Sequence, residues 1–221
     1  MKTLALFGCV LAGTVLSQSQ TVAPSPNPSP QYFPTRVFGT APRSFSDRWY
    51  SGTLSALQES SLFALRNDKS IQVYRFLWLP SFHRPISVRL TVNADGTGSI
   101  VTRSVDSHAG LLTKPASDTG KLIQDATSGI DQVQVKDVLG QLQRLDFWSM
   151  PTEAEQAPQA VEADSSGRML RLVGMDGSRW ILEGLRGGEY HVVDRWSPND
   201  NRYSQLCKYL FRLGKVEATL Y

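Results

Sequence analysis

The chain has 221 residues, of which 41% are hydrophobic and 19% charged. That balance suits a folded domain with a real core and excludes both a disordered polyampholyte and an integral membrane protein. Lys and Arg total 23 against 20 Asp and Glu, a formal net charge of +3, which is too balanced for a dedicated nucleic-acid binder with its concentrated basic field.

In chain order, Lys2 and the apolar run Thr3 to Leu16 read as a signal peptide over residues 1–17, with Val15 and Ser17 small enough for the cleavage site. The expectation is an exported protein, periplasmic or extracellular. Leu6-Phe7-Gly8-Cys9 partly imitates a lipobox, so a lipoprotein is the minor alternative; bulky Phe7 and the place of Cys9 inside the apolar run speak against it. The run is too short to stay in a bilayer, and no transmembrane segment is expected after cleavage. Cys207 would then be the only cysteine left, set on an apolar helical stripe where a thiol behaves as a small hydrophobe.

Residues 18–44 hold half of the chain's 12 prolines. Alternating Pro and Ser favours extended conformations, and the segment is expected to be a disordered tether. A single α+β domain is expected over 45–221, in two halves of about 45–150 and 168–221 joined by an acidic loop. Thr53 to Arg66 reads as a helix capped by Thr53, with Leu54, Leu57, Ser61 and Leu65 on one face. Ile71 to Leu79 is apolar on both faces, as a central strand is. After the Pro80–Pro85 turn, Ile86 to Asn93 and Gly98 to Val105 read as strands joined by a type I′ turn at Asp95-Gly96. Lys121 to Asp125 reads as a short strand. A helix follows, with an Asp131/Gln134 capping box and an apolar stripe of Val135, Val138, Leu139, Leu142 and Leu145.

Residues 152–167 read as an acidic, Ala-rich loop. The last third reads as strands at 168–174, 179–186 and 189–196, with turns at Asp176-Gly177 and Gly187-Gly188, then Ser197 to Asp200 capping a final helix. Val92-x-x-Asp95-Gly96 is echoed by Val173-x-x-Asp176-Gly177. The class is therefore α+β, antiparallel β-meanders packed against helices, with two meander-plus-helix halves as one way to arrange them.

Turn geometry makes the last meander specific. A two-residue loop at Gly187-Gly188 sets 186 opposite 189, 183 opposite 192 and 181 opposite 194, and the Asp176-Gly177 loop sets 172 opposite 181 and 170 opposite 183. Glu183 and Asp194 then fall on a face otherwise made of Leu170, Leu172, Ile181, Leu185, Tyr190, Val192 and Trp196. An unpaired buried carboxylate is too costly to persist, so each needs a partner, a raised pKa or a cavity. Arg75, Arg84 and Arg89 are available partners, giving a structural ion-pair network. The functional alternative is a small hydrolase with Glu183 and Asp194 as acid and base, about 7–8 Å apart at the backbone, and His191 or Arg195 assisting. Trp180 is expected opposite Arg195 as a cation–π pair.

Arg outnumbers Lys by 16 to 7, and its mixing with aromatics suits recognition of a carboxylate or a sugar. Arg75, His83, Arg84, Trp180, Tyr190 and Arg195 are the candidate binding residues. His83, His108 and His191 lack the local pairing of a metal site, and neither metal nor cofactor is expected.

The blocks Tyr74-Arg75-Phe76-Leu77-Trp78-Leu79-Pro80-Ser81-Phe82-His83-Arg84-Pro85, Trp180-Ile-Leu-Glu183-Gly184 and Tyr190-His191-Val-Val-Asp194-Arg195-Trp196-Ser197-Pro198 resemble those of an uncharacterised exported bacterial protein family with no assigned activity. The resemblance covers about residues 49–213 and implies export without naming a chemistry. The functional expectation is a non-enzymatic binding or structural module of the bacterial envelope, with an envelope or extracellular ligand and no nucleic acid as partner.

Overall fold

The structure, a computed structural model, describes residues 30–106, 120–153, 161–163, 169–171 and 177–221. The expected signal peptide, His108, Asp176 and most of the second copy of the Asp-Gly echo lie outside the described residues. The strands are β1 (Gln72–Pro80), β2 (Ile86–Val92), β3 (Gly98–Val105), β4 (Leu122–Ile130), β5 (Val161–Ala163), β6 (Met169–Arg171), β7 (Ser178–Arg186) and β8 (Glu189–Trp196). Six of them form one antiparallel sheet in the order β4-β3-β2-β1-β7-β8, while β5 and β6 pair with each other. With α1 (Phe45–Ala56), α2 (Gln132–Arg144) and α3 (Arg202–Leu213), this is an α+β fold built on antiparallel meanders.

β1 joins the meander β1–β4 to the hairpin β7–β8, with pairs running from Gln72↔Arg186 to Pro80↔Ser178. Burial on both faces of β1 explains its central place. The 168–174 strand was expected beside β7; instead β6 pairs with β5, inside the stretch read as loop, and β1 takes the place beside β7. The longer, two-sided apolar strand offers β7 more area to bury than a three-residue ribbon does.

The Gly187-Gly188 turn has φ of 59° and 85°, the two positive angles of a type I′ loop, and it gives the expected pairs Arg186↔Glu189, Glu183↔Val192 and Ile181↔Asp194. The first hairpin differs. Only Gly96 has positive φ there, and Val92 pairs with Gly98, so the loop is one residue longer than a type I′ turn. Asn93 and Thr97 close it with a backbone hydrogen bond, and the Asp95 carboxylate accepts from the Thr97 amide.

The helices follow their caps. Helix α1 starts at Ser44, whose hydroxyl accepts the Asp47 amide at 3.1 Å, and not at Thr53. Thr53 lies inside the helix and donates to the Trp49 carbonyl. Gln58, at φ 54°, ends the helix, and Phe63–Asn67 forms a separate 3-10 turn. The leucine spacing carries across this break, which is why the two pieces read as one helix. Helix α2 has the expected capping box of Asp131 and Gln134. Helix α3 is capped by Asn201, just beyond the expected Ser197–Asp200 segment. β4 continues to Ile130, past the expected short strand.

The sheet is covered on both faces. On one, α2 and α3 pack Val135, Val138, Leu142, Tyr203, Leu206 and Leu210 over Tyr74, Phe76, Trp78, Trp180 and Leu182. Cys207 is buried there, on the expected stripe. On the other, Tyr50, Leu54 and Leu57 join Tyr32, Phe33 and Phe38 over Leu77, Leu79, Ile181 and Val192. Packing thus reaches back before Phe45, into the proline-containing segment read as tether. No helix among the described residues is long and apolar enough to cross a membrane.

Candidate functional site

The face under α1 carries most of the sheet's charge. Cross-strand register brings Arg75 opposite Arg89 on one side and opposite Glu183 on the other. Arg75, Glu183 and the carboxylate of Glu59 are completely buried. Arg75 Nε donates to Glu183 Oε2 at 2.7 Å and its Nη2 lies 2.6 Å from the same oxygen. Its Nη1 donates to the Ser60 carbonyl at 2.7 Å and lies 3.3 Å from Glu59 Oε2. Tyr190 donates its hydroxyl to Glu183 Oε1 at 2.9 Å. Ser87 donates to Glu59 Oε1 at 3.2 Å, and Arg89 Nε approaches Glu59 Oε2 at 3.0 Å.

Burial pushes the Glu183 carboxyl above its usual range, against Arg75 and the hydrogen bonds from Arg75 and Tyr190. Burial pulls Arg75 down, but Glu183 and Glu59 together hold it above its ordinary value. Both values are raised, which favours the charged guanidinium and disfavours the charged carboxylate. Because both carboxylate oxygens accept donors and the guanidinium is flanked by two carboxylates, the charged pair is the resting state near neutral pH. The network ties the loop after α1 to the middle of the sheet.

Asp194 lies two residues along β8 from Val192, the partner of Glu183, as the turn geometry required. It has partners of its own. Tyr50 donates to its Oδ2 at 2.8 Å and Arg179 Nη1 lies 3.4 Å from that oxygen. Burial raises its pKa, opposed by Arg179 and the Tyr50 hydrogen bond. The two carboxylates thus serve separate contacts, one to β1 and one to α1.

The remaining candidates do not converge. His83 is exposed at the β1–β2 turn, where its Nδ1 is 3.0 Å from the Tyr221 hydroxyl and its ring stacks near Trp78. Arg84 is exposed and pairs with Asp106 at 2.9 Å. Trp180 is buried and donates Nε1 to Ser178 Oγ at 2.8 Å. Arg195 is opposite Trp180 in register but stacks over Tyr203 at 5.8 Å. It also donates to the Pro151 and Thr152 carbonyls, bracing the chain that follows α2. The expected Trp180–Arg195 cation–π pair is therefore replaced by Arg195–Tyr203 and by Arg179 over Trp196. His191 is half-buried on the opposite face from Glu183, with its ring 5.1 Å from that of Phe147.

Beside His191 the surface opens into a cleft of about 470 Å³ between α2, the 3-10 turn Phe147–Ser149 and the ends of β1 and β7. Tyr74, Phe147 and Trp148 supply its aromatic wall, and Lys136, Arg186, Gln72, Gln143 and Asp146 its polar groups. Gly184 makes the close packing possible, since a Cβ there would come within 2.7 Å of Phe147. Arg186 lies over the Trp148 ring at 4.9 Å, and Gln72 donates to the Tyr74 hydroxyl at 3.0 Å. Among the described residues, neither Lys136 nor Arg186 has a carboxylate partner. A second cleft, of about 300 Å³, lies between residues 30–35 and the start of α1. Neither cleft is lined by Glu183 or Asp194.

Glu59 and the cleft residues escaped the sequence reading. Glu59 sits in the polar run Gln58 to Ser61, which looks like any solvated turn. One signal was present: Arg75 and Arg89 on a single sheet face carry more positive charge than Glu183 alone offsets. Phe147-Trp148 follows the α2 stripe and carries no motif of its own. No protein-family model matches the chain, and neither does any curated protein.

Proposed function

We propose that the chain is an exported, non-enzymatic binding module of the bacterial envelope, with the cleft beside α2 as its ligand site. The single observation that favours binding over hydrolysis is the fully buried Glu183, whose two oxygens accept from Arg75 and Tyr190. A general acid must reach substrate, and this carboxyl reaches only its own protein. The hydrolase alternative loses its acid/base pair because Asp194 is buried as well, with its Oδ2 held by Tyr50 and Arg179. Export rests on the apolar leader after Lys2 and on the family resemblance.

The test is Glu183→Gln in a thermal melt without ligand. Removing one partner of a buried ion pair costs about 3–5 kcal/mol. With Glu59 still beside Arg75, the low end is expected, a fall in Tm of roughly 6–12 °C. A variant that melts like the wild type and has lost a measurable glycosidase activity would instead establish the hydrolase.

A further inference from the structure

We infer that the cleft beside α2 is a binding site for a carboxylate-bearing saccharide. This rests on the binding-module reading and names its ligand class. The volume of about 470 Å³ falls within the range of small-molecule sites, about 300–1,000 Å³. Three features of the lining narrow the chemistry.

The first is charge. Lys136 and Arg186 stand at the cleft without carboxylate partners among the described residues. Arg186 rests one face of its guanidinium over Trp148 at 4.9 Å, which fixes the group while leaving its edge donors free. A guanidinium held in this way suits the two oxygens of a carboxylate.

The second is the aromatic wall. Tyr74 and Phe147 are buried behind Trp148, which is partly exposed, so the apolar surface a ligand meets is the open part of the Trp148 ring. The C–H face of a pyranose ring suits such a surface.

The third decides between a sugar and a plain aromatic acid. Gln72, Gln143 and Asp146 also line the cleft. An aromatic carboxylate would desolvate these amides and this carboxylate without giving them partners, at a cost in affinity. The hydroxyls of a saccharide satisfy all three, donating to Asp146 and exchanging hydrogen bonds with the amides.

The experiment is isothermal titration of the whole protein with digalacturonate, maltose and benzoate, repeated on Arg186→Gln and Lys136→Gln. Both substitutions lie on exposed side chains, so the ligand-free Tm is expected to stay unchanged. Digalacturonate should bind at least tenfold more tightly than maltose, and Arg186→Gln should remove that preference. Equal binding of maltose, tighter binding of benzoate, or no saturation by digalacturonate at millimolar concentration would each overturn the assignment. Chromatography of the digalacturonate mixture separates the two readings. Cleavage to monosaccharide would end the non-enzymatic reading while leaving the ligand class standing, and absence of binding would end the ligand class alone.

Discussion

At the scale of single residues, burial decides what each ionisable group can do. The side chains of Glu59, Arg75 and Glu183 have no exposed surface, and each meets an opposite charge inside the protein. Among the described residues, His191 has no such opposite charge in close contact. Burial lowers its pKa below the ordinary 6.5, with Arg195 adding to that effect and Glu189 and a backbone hydrogen bond at Met150 opposing it. The folded state therefore resists a proton that the unfolded state accepts. Stability from this group is complete above the ordinary value and declines as pH falls from there through the lowered folded value. In denaturant titrations at pH 7.5 and pH 5.5, the wild type should lose more stability on acidification than His191→Asn does. Equal losses in the two proteins would mean that His191 does not titrate in this window.

At the scale of elements, the cleft depends on how closely the 3-10 turn Phe147–Ser149 approaches β7. Gly184 lies on β7 with Phe147 above it and Tyr74 on the neighbouring strand. A methyl group in that space overpacks a tight contact, which costs about 1–3 kcal/mol. Gly184→Ala should therefore lower the midpoint of thermal unfolding and displace Phe147 and Trp148, visible as a change in tryptophan emission from the native protein. The variant should also weaken ligand binding at the cleft. An unaltered emission spectrum with unaltered stability would show that the turn is not anchored on β7.

The whole molecule is a sheet covered twice, and its two covers differ in origin. The α2 and α3 cover is made of helices whose stripes are plain in the sequence. The other cover combines α1 with Tyr32, Phe33 and Phe38, from a segment whose prolines suggest a tether. Phe33 is 1% exposed and meets Phe38 and Tyr50 edge to face. Phe33→Ala should destabilise the protein by about 3–5 kcal/mol, lowering Tm by roughly 10 °C. A disordered tether would leave the melting curve where it was.

Local features were legible from the residues alone: the α+β class, the type I′ turn at Gly187-Gly188, the register that turns Glu183 and Asp194 inward, and the Asp131 capping box. These depend on residues within a few positions of one another, where alternation, helical spacing and positive-φ glycines act directly. Tertiary structure decided which strand lies beside β7, that Glu59 faces Arg75 across 16 residues of chain, and that Tyr74, Phe147 and Arg186 line one cleft. Such choices compare the area and charge that distant segments bury together. Glu59 next to a serine looks the same in a solvated loop as beneath a sheet, and only the approach of Arg75 and Arg89 tells the two apart.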